Sequence, residues 1–293
     1  MKKRSVIIGL LATVGIFAVF FLFTVIGLFV AQGGNTFKFG DKIGVVEITG
    51  VITDSRYINE KIIEYGERDD IKAIILRIDS PGGGVGPSQE IYKEVKRVKE
   101  KKKVVVSMGS VAASGGYYIA AAGERIFANP GTLTGSIGVV MEFANIEGLL
   151  SKIGLTGYVV KSGEYKDIGS PVRKMTDKEK RLLQSVIDNV HEQFVQAVSE
   201  GRSIELSRVK NIADGRIFTG DQAKKLGLVD ELGSLTDAID AAAKMAGIKG
   251  KPIVIYPQKR GMSLWDIMFS EDALSQIVRM LKSSYELSTI SYR

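Results

Sequence analysis

The stretch Ile71-Lys-Ala-Ile-Ile-Leu-Arg-Ile-Asp-Ser-Pro-Gly-Gly-Gly84 joins a nearly unbroken apolar run to a glycine loop. Such a run is the mark of a strand buried on both faces, whereas a strand with one wet face alternates. Lys103 to Met108 is a second run of this kind, and Lys42 to Ile48 is a β-branched one. Between them, residues 87–100 carry a helical pattern. The alternation continues with a short apolar helix over 114–122, strands at 126–128 and 136–140, a helix near 145–153 and a strand at 156–160. Thr176-Asp-Lys-Glu179 is a capping box. It opens a long helix with Leu183, Val186, Ile187, Val190, Phe194 and Val198 on one face. Strands alternating with helices predict an α/β domain.

Outward from this body the chain changes character. Met1-Lys-Lys-Arg4 precedes an uncharged run from Ser5 to Gly34. About 20 apolar residues suffice to cross a bilayer. A cleaved signal peptide has a shorter apolar core, and Phe29-Val-Ala31 is a poor cleavage site. Residues 5–31 are therefore expected to be an uncleaved transmembrane anchor and 32–40 a linker. The basic tip, 1–4, is expected in the cytoplasm and the rest on the extracytoplasmic side. Residues 41–250 form the expected folded body. Residues 251–293, set off by Lys251-Pro252, form an extension whose 263–285 stripe could be an amphipathic helix and an oligomer contact.

Composition removes several chemistries. The 293 residues include no cysteine and one histidine, His191. Disulfides, thiolate metal sites and cysteine nucleophiles are excluded, and Ser-His-Asp catalysis is disfavoured, because a histidine base needs an orienting partner in a cleft. No metal and no cofactor is expected. The net charge of +7 is spread among acidic residues along helices, the pattern of a solvated face and not of a nucleic-acid stripe. The pair Asp69-Asp70 is taken as solvated.

The glycine loop at 79–84 lacks the Lys-Ser/Thr of a phosphate-binding loop, and its Gly-x-Gly-x-x-Gly spacing fails at Gln89. It is either a tight turn or a place where bare amides approach a substrate oxygen. A second small-residue stretch, Gly109-Ser-Val-Ala-Ala-Ser-Gly-Gly-Tyr-Tyr-Ile119, places Ser114 at a helix entrance. There the hydroxyl is either an N-cap or a nucleophile, with the Gly115 amide close to a developing oxyanion. A serine nucleophile without a usable histidine needs another base. A lysine whose basicity falls on burial can serve. Lys161 and Lys166, both following the 156–160 strand, remain open on these grounds.

These segments, with Thr132-Leu-Thr-Gly-Ser-Ile-Gly-Val139, Lys161-Ser-Gly-Glu-Tyr-Lys-Asp-Ile-Gly-Ser-Pro171, Ile212-Ala-Asp-Gly-Arg-Ile217 and Leu226-Gly-Leu-Val-Asp230, occur in an order that resembles the signal peptide peptidase A family, peptidase family S49, in its short single-repeat form. The likeness spans about residues 42–245. It implies a Clp-protease/crotonase-like fold of repeated ββα units and a membrane-anchored serine endopeptidase that degrades signal peptides left by signal peptidase. By the same resemblance Ser114 matches the nucleophile, Lys166 the general base and Ser136 the serine that supports it. The backbone amides of Gly83 and Gly115 match the oxyanion hole, although the choice among Gly82, Gly83 and Gly84 stays open. It further implies apolar peptide substrates, contact with the lipid bilayer through residues 5–31, and a ring-shaped homo-oligomer whose subunits complete one another's sites. A thioester-processing enzyme of the same fold and an inactive membrane scaffold are the rival readings; loss of peptidase activity on changing Ser114 would separate all three.

Overall fold

The computed structural model describes residues 15–24 and 40–257. The expected anchor therefore lies largely outside the described residues, as do linker residues 32–39 and the 263–285 stripe. Residues 15–24 form a helix, α1, whose Ile16, Phe17, Phe20 and Phe23 are all exposed. Among the described residues, no helix is long and apolar enough to cross a membrane. The chain divides into two compact units, Met1–Gly40 and Asp41–Arg293.

In the second unit the expected buried strands are present as β1 (Lys42–Thr49), β2 (Ile71–Ser80) and β3 (Lys103–Ala113). They lie side by side and parallel at the centre of an eight-stranded sheet. β4 (Arg125–Ala128), β5 (Leu133–Gly135), β6 (Ile217–Thr219), β7 (Glu231–Leu232) and β8 (Ile253–Ile255) complete it. The main path runs β6-β5-β3-β2-β1-β8, with β4 pairing both β3 and β7. Among the described residues only the β5–β6 pair is antiparallel.

The nearly unbroken apolar runs exist because both faces of the sheet are covered. Ile74, Leu76 and Ile78 face one core with Val104, Val106 and Met108. Ala73, Ile75 and Val105 face the other. The first core is closed by α2 (Arg56–Glu67), α3 (Val85–Lys99), α4 (Gly115–Ala120) and α6 (Asp177–Arg202). The second is closed by α9 (Leu235–Met245), whose Ala238, Ala242 and Ala243 allow close approach. The short helices α5 (Glu147–Lys152), α7 (Leu206–Lys210) and α8 (Gly220–Lys225) complete the described elements.

Several expectations shift. The capping box at Thr176 and Glu179 forms as expected. Residues 136–140 and 156–160, expected as strands, are in neither case part of the sheet. Tyr158 and Val160 are almost wholly exposed, so no partner backbone or core among the described residues holds that segment in extended form. Asp70 is not merely solvated. Its carboxylate pairs with Lys42 and Arg68, which hold it well below the usual carboxylate range.

β3 is the element that sets the site. Residues 105–107 pair with β4, whereas 111–113 pair with β5. Against β2 the register jumps from Ile78↔Met108 to Ser80↔Ala112, so β3 carries two extra residues and bends. The Asp79 carboxylate fills the bend and accepts a 3.0 Å bond from the Val111 amide. Gly109 makes room for it, since a Cβ there would lie 2.7 Å from the Asp79 carboxyl carbon.

Candidate active site

The bent strand β3 delivers Ser114 to the start of α4 with φ 51° and ψ −122°. A non-glycine residue in that region is strained by roughly 1–3 kcal/mol and persists only where its surroundings hold it. Here the Ser114 amide donates to the Gly135 carbonyl at 2.9 Å, and Tyr117 below is fully buried, its hydroxyl donating to the Leu228 carbonyl. The Ser114 side chain makes no capping bond. Of the two readings of this hydroxyl, the N-cap fails.

The glycine loop lies against it. Gly82 has φ +106°, and a Cβ on it would sit 2.7 Å from the Gly115 nitrogen and 2.8 Å from Ser114 Cβ. The amide of Gly82 donates to Ser80 Oγ at 3.1 Å, and that of Gly84 to the Ile52 carbonyl at 2.8 Å. Among the described residues the Gly83 and Gly115 amides have no acceptor. They are close, since a Cβ on Gly115 would lie 3.3 Å from the Gly83 nitrogen. Two unpaired amides beside a strained hydroxyl form a ready cradle for an oxyanion. The bonds made by Gly82 and Gly84 single out Gly83 within the run.

A pocket opens from Ser114 between Gly83, Val85, Ser88, Gln89 and Tyr118, with Val139, Val140, Val190 and Phe194 around it. Its walls are mostly apolar. Val190 and Phe194 belong to the α6 stripe, which periodicity marks only as core-facing. That stripe lines a cleft as well as a core, and sequence periodicity does not separate the two. His191, beside Val190, is half-buried, and among the described residues its Nε2 has no partner and no carboxylate pairs with it.

Lys166 and Ser136 stand apart from the pocket lining. Ser136 has φ 50°, and its amide donates to the Arg216 carbonyl at 2.8 Å. Lys166 is exposed, and its ammonium makes no bond or ion pair among the described residues. Lys161, the other candidate base, is committed to the Asp167 carboxylate at 2.6 Å and to the Glu164 carbonyl. Asp167 also binds Arg173 at 2.7 Å, and these two cations keep its carboxyl far below its ordinary value. The polar cluster around Arg173 is not evident in the sequence beyond the recurrence of Asp167, Arg173 and Glu179 at six-residue steps.

A bent central strand, a strained serine and two free amides together have the parts of a serine hydrolase site on an α/β sheet. The Clp protease family model matches residues 44–132, and the peptidase family S49 model matches residues 96–249. The chain belongs to peptidase family S49 and is a serine protease. It is 49% identical to "Putative protease slr0021" of Synechocystis sp. over 71% of this chain and 75% of that one. It is 36% identical to "Putative signal peptide peptidase SppA" of Enterococcus faecium, over 73% of this chain and 67% of that one. To "Serine protease SPPA, chloroplastic" of Arabidopsis thaliana it is 35% identical, over 77% of this chain and 34% of that one.

Proposed function

We propose that this protease uses a Ser114/Lys166 dyad to degrade residual signal peptides at a membrane. The observation that carries the reading is the strained Ser114 against the unpaired amides of Gly83 and Gly115. Ser114 Oγ attacks the scissile carbonyl carbon and its proton passes to the Lys166 amine. The carbonyl oxygen, now negative, is held by the two amides. Collapse expels the amine product, which takes the proton from Lys166, and water then releases the acyl group by the same route. Ser136 supports the amine, and the apolar pocket receives small or aliphatic side chains such as those of signal-peptide cores.

The base must be neutral when it acts, and burial is the lever that makes a lysine amine neutral. Lys166 is exposed in the single chain, on a segment (138–175) that also exposes Val140, Met141, Phe143, Leu149, Leu155 and Val160. Large apolar side chains exposed in this number along one segment point to an interaction site. Its occupant in this reading is a second copy, in a ring that covers the segment and brings Lys166 to a Ser114. Residues 5–31 hold the ring at the bilayer, with the catalytic body on the extracytoplasmic side. The name of the Enterococcus faecium relative supports the substrate class.

The test is cleavage by the full chain in detergent of an apolar fluorogenic peptide taken from a signal-peptide core. Turnover lost in Ser114→Ala, and poorer turnover of peptides charged beside the cut, are the expected results. Equal cleavage of the charged peptides would overturn the substrate class.

A further inference from the structure

The proposed base lies in a run of four residues, Glu164 to Asp167, of which the other three are clamped. Glu164 pairs with Lys178 of α6 at 2.8 Å, and the same Lys178 ammonium lies 5.3 Å from the centre of the Tyr165 ring. Asp167 takes Arg173 Nε at 2.7 Å, Arg173 Nη2 at 2.8 Å and Lys161 Nζ at 2.6 Å. Lys166 alone is left without a partner among the described residues.

The clamp is anchored deeply. Arg173 also binds Glu179, whose side chain is nearly buried although it is charged. Glu179 is the same residue that closes the capping box of α6, accepting from the Thr176 amide at 2.8 Å. One guanidinium thus ties the loop carrying Lys166 to the first turn of a 26-residue helix. Bidentate pairing of this kind fixes geometry as well as charge.

We propose that Arg173 is a positioning residue for the protease reaction: it presents the Lys166 amine and neutralises the Asp167 carboxylate next to it. The proposal rests on Lys166 being the base. A free carboxylate beside an amine favours the ammonium form and would silence a base. The charged groups paired on the loop that carries Lys166 are Lys161, Glu164, Asp167 and Arg173 on its own segment and Lys178 and Glu179 on α6. Residues 145–147 also reach this segment, through Asn145 bonded to the Arg173 carbonyl; Glu147 there makes no ion pair among the described residues. Arg173 is the group among them that contacts both carboxylates, Asp167 and Glu179.

The experiment follows the pH dependence of kcat for the full chain in detergent with an apolar fluorogenic peptide. Arg173→Met should move the acidic limb upward by roughly half a unit to one unit, the effect of an uncompensated neighbouring charge at a partly exposed site. Adding Asp167→Asn to Arg173→Met should bring the limb back by at least about half of that shift, a recovery that loss of packing alone cannot produce. Asp167→Asn by itself should leave the limb in place or lower it, and Arg173→Lys should keep it near wild type with a reduced kcat. If Arg173→Met does not fold by circular dichroism, these last two variants carry the test. An unshifted limb in folded Arg173→Met, no recovery in the double variant, or an upward shift in Asp167→Asn overturns the clamp. Full activity in Lys166→Ala would instead overturn the base assignment itself, and the clamp with it.

Discussion

The two halves of the proposed dyad are built in opposite ways. Ser114 joins β3 to α4 beside β2, deeply buried elements where even Ser80 and Ser107 are wholly inaccessible. Lys166 rides on a segment between residues 138 and 175 where only α5 has regular structure and most side chains are exposed. A nucleophile gains from a fixed, strained backbone and from amides that need no rearrangement. A lysine base gains from burial, which this segment lacks within one chain. The contrast suggests that the nucleophile is prepared by folding and the base by association.

The sharpest way to break that contrast is to mix two inactive chains. Ser114→Ala and Lys166→Ala should each lose roughly 10⁴-fold or more in kcat. Co-expressed in one cell, they should regain a substantial part of wild-type activity if Lys166 of one copy serves Ser114 of another. No recovery in assemblies shown to contain both chains would place both groups within a single chain's site. Next in size, alanine in the two regions should act differently. Gly82→Ala forces a Cβ against the Gly115 nitrogen at an unfavourable φ, and should cost roughly 10²–10³ in kcat, as loss of an oxyanion donor does. Gly163→Ala, in the exposed segment, meets nothing within 4 Å and should leave kcat nearly unchanged.

Association should respond to the exposed segment and not to the core. Leu155→Asp with Val160→Asp should reduce the mass seen by light scattering and lower activity, while leaving thermal unfolding of the body almost unaltered. An unchanged mass would remove this face from the proposed interface. The smallest expected effect is on acid stability. Arg173 and the Thr176 amide hold the Glu179 carboxyl at about 2, below its ordinary value of about 4.3. That stabilisation is fully present above the ordinary value and is lost as pH falls through about 2. Glu179→Gln should therefore flatten the decline in stability between those limits, as followed by thermal unfolding.

The sequence is most legible where periodicity and burial agree. The runs at 71–78 and 103–108 read as two-sided strands because they are nearly continuous in apolar residues, 42–48 reads as a β-branched run, and all three lie at the centre of the sheet. The 136–140 and 156–160 segments are also β-branched in part, yet neither finds a partner strand among the described residues. Composition describes a preference, and only a neighbouring edge turns it into a strand. Ser114 was visible as a serine at a helix entrance. Its choice between cap and nucleophile depends on a φ and a missing side-chain bond, which no residue pattern states. Similarly, Gly83 is singled out only by the bonds that occupy Gly82 and Gly84.

The central claim is that Ser114, strained and flanked by two free amides, is the nucleophile that Lys166 activates. Its most direct test is to treat the full chain in detergent with a fluorophosphonate at mildly alkaline pH and map the adduct by mass spectrometry. The account predicts a single modified residue, Ser114, with labelling abolished in Lys166→Ala and retained in His191→Ala. An adduct on Ser88 or Ser136 instead, or labelling of Lys166→Ala at the wild-type rate, would contradict it.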